Sequence, residues 1–126
     1  MPLLHIKALP QKDKGKIKRA LKETCKAIAD VYGCSENHVW ATWQEIESGF
    51  YFEGNQAEQS QPESTHPPIA ELICFEGKSP QTIEKVLLAA SSALSKYLDL
   101  QSNIFMTYRE AKSGQVIAGD RIVKNP

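Results

Sequence analysis

The sequence predicts an α+β fold of two tandem β-α-β repeats, which form a four-stranded sheet with two helices on one face. Three observations predict it. The apolar residues change period from 2 to 3.6 and back within each half of the chain. The two halves come into register when the sequence is slid along itself until Pro2 falls on Pro68, with a shift of one position after the helix. With 126 residues, 41% of them hydrophobic and 24% charged, the chain suits one domain with a core of its own.

The elements follow in order. Residues 3–9 are short, apolar-rich and end at Pro10, with His5 and Lys7 alternating with Leu4, Ile6 and Ala8, which is the signature of a strand. Ile17, Leu21, Thr24 with Cys25, and Ile28 then recur every three or four residues among lysines as an amphipathic helix, and Gly33 suits its C-terminal stop. Residues 39–46, rich in Trp, Val and Thr, predict the second strand. The second half repeats the plan. Residues 69–75 are a strand, Ser79-Pro80 supplies an N-cap and a proline at the first helical position, and Ile83, Val86, Leu87, Ala90 and Leu94 form the helix's apolar stripe. Residues 103–110 are the last main strand. Residues 50–52 and 116–123, each after a Ser-Gly pair, read as hairpin extensions.

The self-match is specific. Pro2-Leu3-Leu4-His5-Ile6 aligns with Pro68-Ile69-Ala70-Glu71-Leu72, and Lys12 with Lys78. Val39-Trp40-Ala41-Thr42-Trp43-Gln44-Glu45 aligns with Ile104-Phe105-Met106-Thr107-Tyr108-Arg109-Glu110, Ser48-Gly49 with Ser113-Gly114, and Gly54 with Gly119. The chain is thus expected to be a single domain over 1–126, with pseudo-repeats 2–54 and 68–119. A linker over 55–67 holds no bulky apolar residue and two prolines. Two such units leave one sheet face without cover. Trp40, Trp43, Phe105 and Tyr108 lie on the strands, so a partner subunit is the expected cover.

Fifteen Lys plus Arg balance fifteen Asp plus Glu, so the whole-molecule field calls for no polyanion partner. Residues 12–26 carry seven cations against two carboxylates, a local +5, but these fall between regularly spaced apolar residues and read as a solvated helix face rather than a nucleic-acid surface. Cys25, Cys34 and Cys74 have no CxxC spacing and are expected to be reduced, buried small hydrophobes. His5, His38 and His66 have no metal-ligand spacing. No phosphate loop, dinucleotide fingerprint or Ser-His-Asp order is present, so no cofactor or metal is expected. There is no signal-peptide pattern or membrane-spanning run, and the expected compartment is the cytoplasm.

A Met-Pro start, an apolar strand, an amphipathic helix, a second strand and a glycine-containing hairpin, duplicated in tandem, resemble the tautomerase superfamily, which includes 4-oxalocrotonate tautomerase and macrophage migration inhibitory factor (MIF). The opening Met1-Pro2-Leu3-Leu4 is most similar to malonate semialdehyde decarboxylase. The run from Pro68 to Phe75 and the helix after it are more similar to an uncharacterised bacterial branch of the same fold.

The resemblance implies a homotrimer with sites at subunit boundaries, an N-terminal proline amine as base or nucleophile, and cationic side chains that hold a small carboxylate. Carried onto this sequence, Pro2 is the catalytic candidate once Met1 is removed, and Lys78, Lys12, Phe105 and Thr107 are the substrate-binding candidates. An internal proline such as Pro68 has an amide nitrogen and cannot be a base. Where 4-oxalocrotonate tautomerase carries arginines this chain has Lys12 and Trp40, and lysine keeps the charge without the bidentate fork. A tautomerase or related lyase on an enolisable carboxylate is therefore the leading expectation. A non-catalytic trimeric module that binds a ligand or protein at the same boundaries is the alternative.

Overall fold

Alternation along β1 (Leu3–Ala8) sends Leu4, Ile6 and Ala8 into the interior and leaves His5 and Lys7 exposed, as a half-buried strand requires. A computed structural model describes residues 2–124; Met1, Asn125 and Pro126 fall outside the described residues. After β1 come helix α1 (Gly15–Tyr32), a short 3-10 turn over Glu36–His38, and β2 (Trp40–Glu45). A small hairpin, β3 (Phe52–Glu53) with β4 (Gln56–Ala57), precedes β5 (Ile69–Phe75). Helix α2 (Pro80–Leu98), β6 (Phe105–Ala111) and the hairpin β7 (Val116–Ala118) and β8 (Arg121–Val123) complete the chain.

The main sheet has the order β2-β1-β5-β6. The outer pairs β1/β2 and β5/β6 are parallel and the central pair β1/β5 is antiparallel, with His5 opposite Glu71 at its middle. Leu3 pairs with Trp40 and Ile69 with Phe105, so residues that the self-match aligns, Leu3 with Ile69 and Trp40 with Phe105, hold equivalent places in the two parallel pairs. Backbone N–H groups at the strand starts match too: Trp40 donates to the Pro2 carbonyl and Phe105 to the Pro68 carbonyl, both at 3.0 Å.

Both helices cover one face. Leu4, Ile6, Ala70, Leu72 and Cys74 from the central strands meet Ala20, Ile28, Val86, Ala90 and Leu94 from α1 and α2 in a single core. Ser79 Oγ caps α2 by accepting from the Thr82 N–H at 3.1 Å, and Pro80 holds the first helical position. Helix α1 ends on Gly33, at φ 82°, whereas α2 ends on Asp99, at φ 56°, a left-handed conformation that a side chain makes costly. The lysines at 14, 18, 22 and 26 are exposed along α1. No helix among the described residues is long and apolar enough to cross a membrane.

One expectation needs correction. Of the four strand aromatics expected on the uncovered face, only Trp40 and Phe105 lie there, at 49% and 54% exposed. Trp43 is in register with Ile6, and Tyr108 with Leu72, so both point to the helix side and pack against the core. The uncovered face therefore has its apolar residues in the end rows, Trp40, Leu3 and Ile73 beside Arg109 and Ile69 and Phe105 beside Lys7 and Gln44, and is polar across its middle, where Thr42, His5, Glu71 and Thr107 form one row. The stretch over 55–67 is irregular for most of its length. It contributes β4 and buries Gln61 and His66. The Gln61 N–H donates to the Pro10 carbonyl at 2.9 Å. The ring of His66 sits edge-on against Tyr51, with Nε2 2.9 Å from the Gln56 carbonyl.

Leu72, fully buried in the central strand, should cost about 2–5 kcal/mol when cut to Ala. Leu88, 66% exposed on α2, should cost less than about 0.5 kcal/mol. Urea unfolding followed by circular dichroism measures both.

Candidate active site

The antiparallel centre of the sheet decides which residues meet. Leu3 is in register with Ile73, and one step further the same register sets Pro2 against Cys74, at the end of β5 that leads into Lys78. Pro2 is wholly buried, as is Pro68 at the opposite end. Lys78 Nζ stands 4.3 Å above the ring centre of Tyr32, the last residue of α1, and has no carboxylate partner among the described residues. A cation held over an aromatic face is oriented without being neutralised.

Beneath Lys78 lies a group of thiols and phenols. Burial pushes the Cys74 thiol up, and burial likewise raises the Tyr32 and Tyr108 hydroxyls, so all three favour their neutral forms. Tyr108 Oη is shut off from solvent without a hydrogen bond of ordinary geometry, although Cys74 lies close enough that each perturbs the other's ionisation. Cys25 on α1 is also raised by burial, and all three cysteines are free thiols. Among the described residues no three His, Cys, Asp or Glu side chains gather as a metal ion would need.

The other binding candidates lie elsewhere in the subunit. Thr107 borders a trough of about 430 Å³ on the uncovered face, with His5, Lys7, Gln44 and Glu71. There His5 Nδ1 is 2.6 Å from Thr42 Oγ1, and Arg109 forms an ion pair with Glu71 at 3.2 Å. Phe105 stands at the margin of this face beside Ile69, at the Pro68 end. Lys12 borders a second cavity, of about 250 Å³, between the loop after β1 and the end of α2. Pro2 lines neither. One subunit thus brings Pro2 and Lys78 to one end of the sheet and leaves Lys12, Phe105 and Thr107 apart from them. Sequence reading missed Tyr32, whose place one residue before Gly33 at the end of the first predicted helix was a usable signal, and Cys74, whose strand position next to the turn into Lys78 was another.

No protein-family model and no curated protein matches the chain. Solved structures do. A symmetric trimer of wild-type fused 4-OT superposes with a TM-score of 0.80 at 16% identity over 95% of this chain and 94% of that one. Pt0534 inactivated by 2-oxo-3-pentynoate gives 0.80 at 16% identity over 97% and 94%. A MIF-like protein from Entamoeba histolytica gives 0.72 at 13% identity over 96% and 97%. The chain has the tautomerase/MIF-like α+β fold.

The Cys74 thiol, wholly buried and raised, should react with a thiol-specific disulfide reagent such as DTNB at mildly alkaline pH only when the protein unfolds. Rapid labelling of Cys74 in the native state, mapped by peptide mass, would contradict this placement.

Proposed function

We propose that the protein catalyses keto-enol tautomerisation, or a related lyase step, on a small carboxylate with an enolisable carbon, as a cytoplasmic homotrimer. The observation that carries the reading is the shared position of Pro2 and Lys78, with the Lys78 ammonium stacked on Tyr32 and free of any carboxylate among the described residues. The mechanism requires removal of Met1, a step that lies outside the described residues. Removal turns the Pro2 nitrogen from an amide into a secondary amine, and an α-amino group titrates near about 8 in water. Burial and a nearby positive charge both disfavour protonation of an amine, which is the direction the mechanism needs at neutral pH. Lys78 anchors the substrate carboxylate. The amine takes the proton from the carbon next to the carbonyl, the C–H pair moves into the carbonyl as an enolate, and the same proton returns to oxygen or to another carbon.

Three further observations support the wider frame. Matching registers in the two parallel strand pairs support a tandem duplication over 2–54 and 68–119. Trp40, Ile69 and Phe105, exposed on the uncovered face, support its burial against further copies, as does the trimer of the fused 4-OT neighbour. The opening Met1-Pro2-Leu3-Leu4 supports kinship with malonate semialdehyde decarboxylase, and the Pro68 to Phe75 run supports a place nearer the bacterial branch.

The separation of Lys12 and Thr107 from Pro2 within one subunit favours a second reading, in which the trimer binds a ligand or protein at its boundaries without catalysis. Inactivation separates the two. 2-Oxo-3-pentynoate, which inactivates the Pt0534 neighbour, is an acetylenic ketone that a free amine attacks at the alkyne. The amine N–H proton passes to the adjacent carbon and nothing leaves, so the mass rises by one reagent. We expect one label per chain, on Pro2, and no label in Pro2→Ala. Retention of Met1 in protein from the native host, or arylpyruvate tautomerisation that survives Pro2→Ala, would overturn the catalytic reading. Lys78→Ala removes a neighbouring positive charge, so the amine's pKa should rise, moving the acidic limb of the kcat/KM profile to higher pH while KM increases. Sedimentation at micromolar concentration should give a trimer, and a stable monomer would exclude subunit-boundary sites of either kind.

A further inference from the structure

The cavity beside Lys12 is the counterpart, in the second half of the chain, of the Pro2 end. Leu98, Asp99 and Leu100 are the repeat equivalents of Tyr32, Gly33 and Cys34, and Lys12 is the equivalent of Lys78. The chemistry has been exchanged. At the Pro2 end the helix finishes in an aromatic ring under a lone ammonium; at the other end it finishes in two buried leucines with a carboxylate between them. That carboxylate, Asp99, holds a left-handed backbone where the first helix uses glycine, and Gln101 and Ser102 after it are left-handed as well, at φ 48° and 71°. Non-glycine residues in this conformation cost about 1–2 kcal/mol each, and such strain collects at binding sites.

The cavity's wall is fixed. Gln11 Nε2 donates to the Leu9 carbonyl at 2.9 Å and to Gln61 Oε1 at 3.2 Å, while Gln61 Nε2 donates to the carbonyls of Pro62 and His66. Of the charges around it, Lys16 is bound to Asp99, and Asp13 accepts the Gly15 N–H at 2.9 Å. Two are left over. Lys12 and Glu63 have no ion pair or hydrogen bond among the described residues, although they border the same space of about 250 Å³. Counting every charge in the lining gives two cations against three carboxylates, or −1, so a simple carboxylate is disfavoured here, in contrast to the Pro2 end.

We propose that this cavity is a second ligand site, separate from Pro2, which takes a small aliphatic amino acid. The ligand's ammonium meets Glu63, its carboxylate meets Lys12, and its side chain rests on Leu98 and Leu100. Opposite charges that border one space without closing on each other suit a molecule that carries both. The volume lies just below the usual range for ligand pockets, about 300–1,000 Å³, which limits the occupant to a molecule of this size. Pro68 lies at this end with an amide nitrogen, so the site binds without the base chemistry proposed for Pro2, and it stands whether or not Pro2 is catalytic.

The test is a titration of the ¹⁵N-labelled full chain, followed by amide shifts, with L-leucine, with 3-methylbutylamine, which lacks the carboxylate, and with 4-methylpentanoate, which lacks the ammonium. L-Leucine should give saturable shifts at Gln11, Gln61 and Leu100 in the millimolar range. The amine should bind about ten-fold or more weakly, and 4-methylpentanoate should leave these amides unmoved. Glu63→Gln should weaken L-leucine by about ten-fold or more, Lys12→Gln should weaken it to a smaller degree, and Pro2→Ala should leave it unchanged. Both charge variants alter exposed side chains, and their far-UV spectra should match the wild type. Absence of saturable shifts with L-leucine, equal binding by either analogue, or an unchanged Kd in Glu63→Gln would overturn the proposal. Loss of binding in Pro2→Ala would place the ligand at the other end and overturn it as well.

Discussion

The antiparallel pairing of β1 with β5 is the contact on which the rest of the molecule depends. Each outer pair is parallel, so it needs a crossover, and α1 and α2 supply one apiece. Neither β-α-β unit alone can bury both sides of its helix. Joined along β1 and β5, the two units lay their helices side by side on one face and close a common core around Leu4, Ile6, Leu72, Val86 and Leu94. The same pairing runs the strands in opposite directions, with His5 against Glu71 at the centre. It therefore carries the end of β5 to the start of β1, and with it Lys78 to Pro2. By the same geometry it carries the loop after β1, with Lys12, to the Pro68 end. A register slip of one residue would turn every core side chain of β1 to the uncovered face and would break both ends at once.

Much of this plan was legible in the sequence because it is written in local periodicity. The strand over Ile69–Phe75, the cap at Ser79-Pro80 and the stop at Gly33 depend on residues close in the chain, and each appears where its local chemistry puts it. Orientation across strands was not legible. Trp40 and Trp43 look alike in a strand read by itself, and only the pairing of Leu3 with Trp40 and Ile6 with Trp43 reveals that they face opposite sides. The polar run over 55–67 likewise reads as a loop, because the partners that bury Gln61 and His66 come from Pro10, Tyr51 and Glu53, which no local pattern announces. Of the candidate site, the two lysines were visible as an aligned pair. Their separation to opposite ends follows from the antiparallel centre, which the internal alignment alone does not fix.

The two ends illustrate how equivalent positions in a repeated scaffold acquire different electrostatics. With Tyr32 in one place and Leu98 in the other, the lysine before each helix meets either an aromatic face or an apolar floor beside carboxylates. The first arrangement leaves an unneutralised ammonium, suited to an anion. The second sets an ammonium without an ion pair among the described residues at a cavity lined by three carboxylates, which disfavours a simple anion. The strand starts are alike at both ends, down to the 3.0 Å hydrogen bonds from Trp40 and Phe105 to the two proline carbonyls, so the contrast rests on the side chains and on the turn that follows each helix.

The central strand pairing also sets a timetable for a chain emerging from the ribosome. β1 is made before β5, and Leu3 cannot meet its partner Ile73 until everything between them has been synthesised. At a synthesis rate of about 5–20 residues per second, β1 waits roughly 4–14 s with one edge unpaired. During that interval Leu4 and Ile6 have only the first crossover helix and β2 for shelter. Helix α1 forms quickly from local contacts, whereas the sheet cannot close until β5 has left the exit tunnel, so the nascent first half is the stage most exposed to misassociation and to chaperone capture.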